Sequence, residues 1–207
     1  MSDSGHRRPH EHRRGEEPPA SARTAEPAAS PAAGHTAVPI VAAVVTVSDS
    51  GFAGTRQDTS GDVLEELLRE LGAVSVERRL VPDEAETIAA QLRDLADGTA
   101  VSLVLTTGGT GFTSRDVTPE ATLSVIERAA PGIAEAMRFV SLQKTPRAML
   151  SRGVSGLRGR TLIINMPGSP RACREQFEVI REALPHGIEK LLDSGGDCAR
   201  PDEPPRR

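Results

Sequence analysis

Tryptophan and tyrosine are absent from the 207 residues, and phenylalanine occurs four times, as Phe52, Phe112, Phe139 and Phe177. So few rings exclude the aromatic platforms on which single-stranded nucleic acid stacks. They also require a core of Val, Leu, Ile and Ala. Such a core suffices, because buried area rather than ring count sets stabilisation, at ~25 cal/mol per Å². Cysteine is scarce: Cys173 and Cys198 form neither a zinc spacing nor a disulfide framework. A reducing cytosol is the compartment this predicts. Four of the five histidines, His6, His10, His12 and His35, lie in the first 36 residues. That leaves His186, between Pro185 and Gly187, for which a structural role is expected. Ser-His and His-metal catalysis are thereby disfavoured. The longest apolar run, residues 39–47, is too short to span a bilayer. No apolar segment follows Arg7-Arg8 or Arg13-Arg14, as a secretion signal would require. A surplus of positive charge is missing too. The formal net charge is −4, and the excess lies in residues 37–195, with 21 acids against 17 bases. This excludes a nucleic-acid or anionic-membrane surface, while a local basic pocket for a phosphorylated small molecule stays open.

Residues 1–36 have no periodicity and few large apolar groups, so they are expected to be disordered, with residues 196–207 alike. The tail histidines have no fixed geometry for a metal. Between the tails, residues 37–195 alternate strand and helix patterns. Strands are predicted at 38–47, 73–81 and 100–106, the first and third buried on both faces. Residues 154–168 read as a hairpin turning at Arg158-Gly159, with 161–165 as a central strand. Helices are predicted over 59–71, with a Thr59–Asp62 capping box, and over 83–97. Others are predicted from Thr118 to about Arg128, over 131–143, from Ser169 to about Ala183, and after Pro185. The pattern implies an α/β fold with helices on both faces of an open sheet. Ligands of such sheets bind at the carboxyl ends of the strands.

Three strand ends run into small polar residues and glycine: Ser48-Asp49-Ser50-Gly51, Thr107-Gly108-Gly109-Thr110-Gly111 and Asn165-Met166-Pro167-Gly168-Ser169. If the strands are parallel, all three emerge on one edge. Glycines there let backbone N–H groups approach an oxyanion, and the helix opened by Ser169 adds donors. The second turn contains no lysine and matches neither the P-loop nor the dinucleotide fingerprint. Carboxylates accompany these turns at Asp49, Asp83 and Asp116. Beside a phosphate seat they make sense if Mg²⁺ bridges them to phosphate oxygens. Asp83 has a plainer reading as a helix N-cap, and Asp116 as a salt-bridge partner of Arg115. Arg115, Lys144, Arg147 and Arg152 are the nearby cations. Arginine can clamp phosphate with two parallel bonds, whereas Lys144 and Arg147 suit solvated surface. Ser151 precedes Arg152 at the entry to the hairpin.

The segments "VTVSDSGFAGTRQDTSG", "LVLTTGGTGFTSRDVTPEAT", "LSRGVSGLRGRTLIINMPGSP" and "LPHGIEKLL" together resemble the MogA/MoaB family of molybdenum-cofactor biosynthesis proteins, over roughly residues 37–192. The family is related to the G domain of gephyrin and its plant counterpart, and more distantly to a MoeA domain and to CinA. The resemblance implies a three-layer α/β/α sandwich on a mostly parallel sheet, a homotrimer, and an enzyme, which the scarcity of cysteine places in the cytoplasm. It implies molybdopterin and ATP as substrates, with Mg²⁺. The terminal phosphate of the pterin would attack the α-phosphate of ATP, giving adenylyl-molybdopterin and pyrophosphate. A molybdenum insertase would act downstream. Through the contexts "R-L-x-P-D-E" and "R-D-V-T-P", the two essential family aspartates map onto Asp83 and Asp116. The pterin-phosphate seat maps onto Thr107, Gly108, Gly109, Thr110 and Gly111. Ser48, Asp49, Ser151, Arg152, Asn165, Pro167, Gly168 and Ser169 surround it. Ser114 stands where many members have proline, which should loosen the loop without removing the site. Two other readings remain: a MoaB-type protein that binds the pterin without transfer, and a nucleotide hydrolase of the CinA kind.

Overall fold

The structure, a computed structural model, describes residues 38–98 and 100–192. The segments expected to be disordered, 1–36 and 196–207, lie outside the described residues. Four strands, β1 (Val41–Val47), β2 (Ser75–Val81), β3 (Leu103–Thr107) and β6 (Thr161–Met166), run parallel. Two more, β4 (Arg128–Ala129) and β5 (Ser155–Arg158), add an antiparallel edge, giving the order β2-β1-β3-β6-β5-β4. The helices are α1 (Asp49–Phe52), α2 (Thr59–Glu70), α3 (Ala85–Gly98), α4 (Thr118–Leu123), α5 (Pro131–Leu142), α6 (Pro170–Ile180) and α7 (Ala183–Leu192).

The apolar run of β1 serves both faces of the sheet, because successive side chains alternate. Ala42 and Val44 join one cluster with Leu64 and Leu68 of α2 and Phe177 of α6. Ala43, Val45 and Val47 join another with Ile88 and Leu92 of α3. The result is the expected three layers. β2 is an edge strand and, as expected, half exposed.

Several boundaries differ from expectation. Asp58, not Thr59, caps α2: its carboxylate accepts the Gly61 N–H at 2.9 Å. α4 ends at Leu123 rather than near Arg128, because the chain turns there to pair Arg128–Ala129 with β5. Thr118 does not cap α4; its hydroxyl donates to the Gly108 carbonyl at 2.9 Å. α7 begins before Pro185, which sits in its first turn, where a missing N–H costs nothing. The hairpin turns at Gly159, with φ +51. Two short elements had no periodicity to reveal them, α1 and a 3₁₀ turn over Pro146–Leu150. At the amino-terminal edge of the parallel strands, Val38 and Leu192 line one hollow, and Arg160 donates to the Leu192 carbonyl at 2.9 Å.

Candidate functional site

The order β2-β1-β3 sends the chain to opposite sides of β1, so the loops leaving β1 and β3 diverge. That divergence opens a crevice at the carboxyl edge. A cavity of about 220 Å³ occupies it. Its walls are Thr46 to Ser48 and Gly51 after β1, Arg56 to Ser60 at the start of α2, Asp83, Thr107 to Gly109, and Gly168. Gly108 and Gly109 have φ of +96 and +62, the left-handed region that glycine tolerates. A Cβ on Gly108 would stand 2.2 Å from the Val47 carbonyl oxygen. Gly168 packs so close that its Cβ would lie 3.3 Å from the Gly108 Cα. Three strand ends thus pack backbone against backbone at the cavity wall.

The three aspartates have different surroundings. Asp83 Oδ2 accepts the Asp49 N–H at 2.7 Å, and Asp49 Oδ1 accepts the Asp83 N–H at 2.9 Å. Asp83 is therefore not the cap of α3. Burial pushes its carboxyl above the ordinary range, and the charges of Asp49 and Asp116 add to this. Arg115 forks onto Asp49, with Nε to Oδ2 at 3.0 Å and Nη2 to Oδ1 at 2.8 Å. That hydrogen-bonding holds Asp49 below the usual carboxylate range. Arg115 does not pair with its neighbour Asp116. Asp116 Oδ2 accepts the Thr113 N–H at 2.7 Å. Burial would raise Asp116, but hydrogen bonds from Thr113 and Gly111 outweigh it and hold the carboxyl low.

Of the residues expected at the site, Ser48, Asp83, Thr107, Gly108, Gly109 and Gly168 line the cavity. The others serve at one remove. Thr107 spends its hydroxyl on the Pro167 carbonyl at 2.7 Å, which the buried Cys173 thiol also approaches at 3.0 Å. Burial pushes that thiol up to about 11. Asn165 is buried, with Nδ2 donating to Thr106 and Thr122 and Oδ1 accepting the Val154 N–H, so its amide is used within the fold. Ser169 caps α6, and Ser48 caps α1. Thr110 accepts the Arg152 N–H at 3.0 Å through its carbonyl. Arg152 is not poised as a phosphate clamp: its guanidinium binds the Gly111 and Asp116 carbonyls and Glu120. Gly111 lies against Asp116, where its Cβ would stand 3.1 Å from Oδ2. Ser151 ends the 3₁₀ turn. Lys144 pairs with Glu175 at 3.4 Å, as surface charge does.

Sequence reasoning missed the wall from Arg56 to Ser60. The helix there was readable, but nothing local says that its start faces another loop. Arg56 is the cation of this wall. Asp58 is neutralised by Arg78, Nη2 to Oδ2 at 2.5 Å, and accepts the Thr46 hydroxyl at 2.7 Å. Among the described residues no group of three or more His, Cys, Asp or Glu side chains could hold a metal by itself. No helix of the described residues is long and apolar enough to cross a membrane.

Comparison with known proteins matches this arrangement to a family. A family model described as a probable molybdopterin binding domain matches residues 43–186. The molybdenum cofactor synthesis protein cinnamon of Drosophila melanogaster is 42% identical over 151 residues, 72% of this chain and 25% of that protein. The chain therefore spans about a quarter of that relative's length. The molybdopterin adenylyltransferase of Helicobacter pylori is 40% identical over 151 residues, 72% of this chain and 86% of that one. Among solved structures, the molybdopterin biosynthesis enzyme MoaB from Thermus thermophilus superposes with a TM-score of 0.68 at 48% identity. That match covers 73% of this chain and 96% of that one. With its strand ends and glycine turns meeting at one crevice beside Asp83, the chain belongs to the molybdopterin-binding domain family of molybdenum cofactor biosynthesis.

Proposed function

We propose that the protein is a molybdopterin adenylyltransferase. It binds molybdopterin and transfers AMP from ATP to the pterin's terminal phosphate, releasing pyrophosphate. One observation carries the reading: Asp83 places a carboxylate beside a backbone-lined turn at the β1/β3 crevice, in a chain 40% identical to a relative of that name. The turn of Gly108 and Gly109, with Gly168 against it, suits the pterin phosphate. Arg56 adds positive charge. A shallow groove of about 760 Å³ bordered by Phe52, Pro82 and Glu84 offers the adenosine a place.

The terminal phosphate oxygen forms the new bond to the α-phosphorus of ATP, and the α–β P–O bond breaks. Phosphoryl-type transfer needs positioning and charge neutralisation more than covalent help, so no histidine or cysteine is required. The donor set fits Mg²⁺, which is bound by one or two carboxylates together with substrate phosphates. Asp83 and Asp116 are the residues that would hold it. When bound, it supplies charge neutralisation on the nucleotide phosphates. Holding the metal this way needs the phosphates of the nucleotide as further ligands.

We also propose that the protein works in the cytoplasm as a homotrimer and passes its product to a molybdenum insertase. Phe139 and Leu142 of α5 and Met149 and Leu150 beside it are exposed apolar groups that neighbouring copies would cover.

The test is incubation with molybdopterin and Mg-ATP labelled at the α-phosphate. Label should appear in adenylyl-molybdopterin, and Asp83→Asn or Asp116→Asn should cut turnover ~100-fold or more. Pterin binding without labelled product would make the protein a non-catalytic binder. ATP consumption without pterin would make it a hydrolase.

A further inference from the structure

The arrangement of Asp49 and Arg115 gives them a task other than binding ligand. Asp49 begins α1 after β1, Asp83 follows β2, and Arg115 lies in the loop after β3. β1 separates β2 from β3 in the sheet, so no ladder joins the loops of Asp83 and Arg115. What joins them is Asp49. Its Oδ1 accepts both the Asp83 N–H, at 2.9 Å, and Arg115 Nη2, at 2.8 Å. Its Oδ2 accepts Arg115 Nε at 3.0 Å. In return the Asp49 N–H donates to Asp83 Oδ2 at 2.7 Å.

This exchange divides the two oxygens of Asp83. Oδ2 is fixed by a backbone donor. Oδ1, which has no donor among the described hydrogen bonds, lies on the Gly109 side: a Cβ on that glycine would stand 3.3 Å from it. The exchange therefore sets the side-chain rotation of Asp83 and leaves one oxygen for the cavity. The Arg115–Asp49 pair is about half exposed, with side chains 56% and 48% accessible. Pairs this exposed contribute little to stability, because solvent and salt screen them. The fold therefore gains little from this pair, whereas its carboxylate falls on the backbone N–H of Asp83.

We propose that Arg115 and Asp49 are positioning residues for Asp83: Arg115 holds the Asp49 carboxylate, that carboxylate holds the Asp83 N–H, and the Asp49 N–H so placed holds Asp83 Oδ2. The inference deepens the adenylyltransferase reading and rests on it for its kinetic consequence. It requires the planar fork of arginine, which lysine cannot reproduce.

The experiment compares Arg115→Met, Arg115→Lys, Asp49→Ala and the Arg115→Met/Asp49→Ala double variant with the wild-type chain. It reads kcat, KM for ATP and molybdopterin, molybdopterin Kd, and hydrogen exchange at the Asp83 amide. A displacement of 1 Å at a reacting group costs ~10²-fold in rate. Arg115→Met should thus lower kcat roughly 10- to 100-fold, with molybdopterin Kd within about twofold, and should speed exchange at Asp83. Arg115→Lys should recover only part of kcat. The double variant should be no worse than Asp49→Ala, because Arg115 acts through Asp49. A rise in KM for either substrate with kcat unchanged would make Arg115 a substrate ligand and overturn the proposal. Multiplying losses in the double variant would overturn it too. If the wild-type chain transfers nothing, the adenylyltransferase reading fails by itself. Exchange at Asp83 then still decides, since unchanged exchange in Arg115→Met would refute the brace.

Discussion

At the residue scale, three aspartates of the loops after β1, β2 and β3 are pushed in different directions. Arg115 holds Asp49 low, and backbone donors hold Asp116 low against its burial. Asp83 is raised, first by burial and then by its acidic neighbours. A raised native pKa means that folding favours the protonated form. The stabilisation is present below the unfolded pKa of an aspartate and is lost as pH rises through the native value. At neutral pH, without substrate, the Asp83 charge therefore weighs against the fold. Thermal melts should find Asp83→Asn at least as stable as wild type at neutral pH. The difference should shrink as pH falls through the raised native value toward the ordinary aspartate range, near ~4. A lower melting temperature for Asp83→Asn at neutral pH would contradict the sign. Under the proposed adenylyl transfer, the same substitution should cut turnover ~100-fold or more, a trade of stability for chemistry. The sequence named Asp83 by its neighbours Pro82 and Glu84, yet its surroundings were hidden, because Asp49 is 34 positions away.

At the element scale, the start of α2 joins fold and site. Asp58 caps the helix, accepts the Thr46 hydroxyl and pairs with Arg78 of β2. Asp58 and Arg78 are 13% and 26% accessible, too buried for either charge to be left alone cheaply. Denaturant unfolding should show Asp58→Ala destabilised by about 2–3 kcal/mol, from the lost cap, the freed Thr46 hydroxyl and the loss of one of the three carboxylates that Arg78 bridges. Asp58→Asn, which keeps a capping oxygen, should lose less; equal losses would show that the cap carries nothing. The helix itself was legible from Leu64, Leu67 and Leu68. Its cap was not, because Asp58-Thr59-Ser60 offers three capping side chains in a row, and only contact with Arg78 selects among them. α4 shows the opposite failure. Apolar residues continue past Leu123, but pairing of Arg128–Ala129 with β5 ends the helix early.

At the scale of the whole molecule, alternating strand and helix patterns were enough to predict a parallel sheet with its loops on one edge. They could not supply the strand order, which depends on which non-local pairs form. That order puts β1 and β3 side by side and so creates the crevice. Oligomeric state belongs to this scale. Light scattering after size exclusion should give three chains per particle. Replacing both Phe139 and Met149 with serine should shift it toward one, and a wild-type monomer would remove the trimer proposal. The hollow shared by Val38 and Leu192 lies at the edge away from the cavity. Entry to and exit from the domain are therefore neighbours on its floor. Val38 and Leu192 thus both lie away from the mouth of the cavity. A domain whose two ends meet away from its crevice can be set within a longer polypeptide, and this chain spans a quarter of the Drosophila relative.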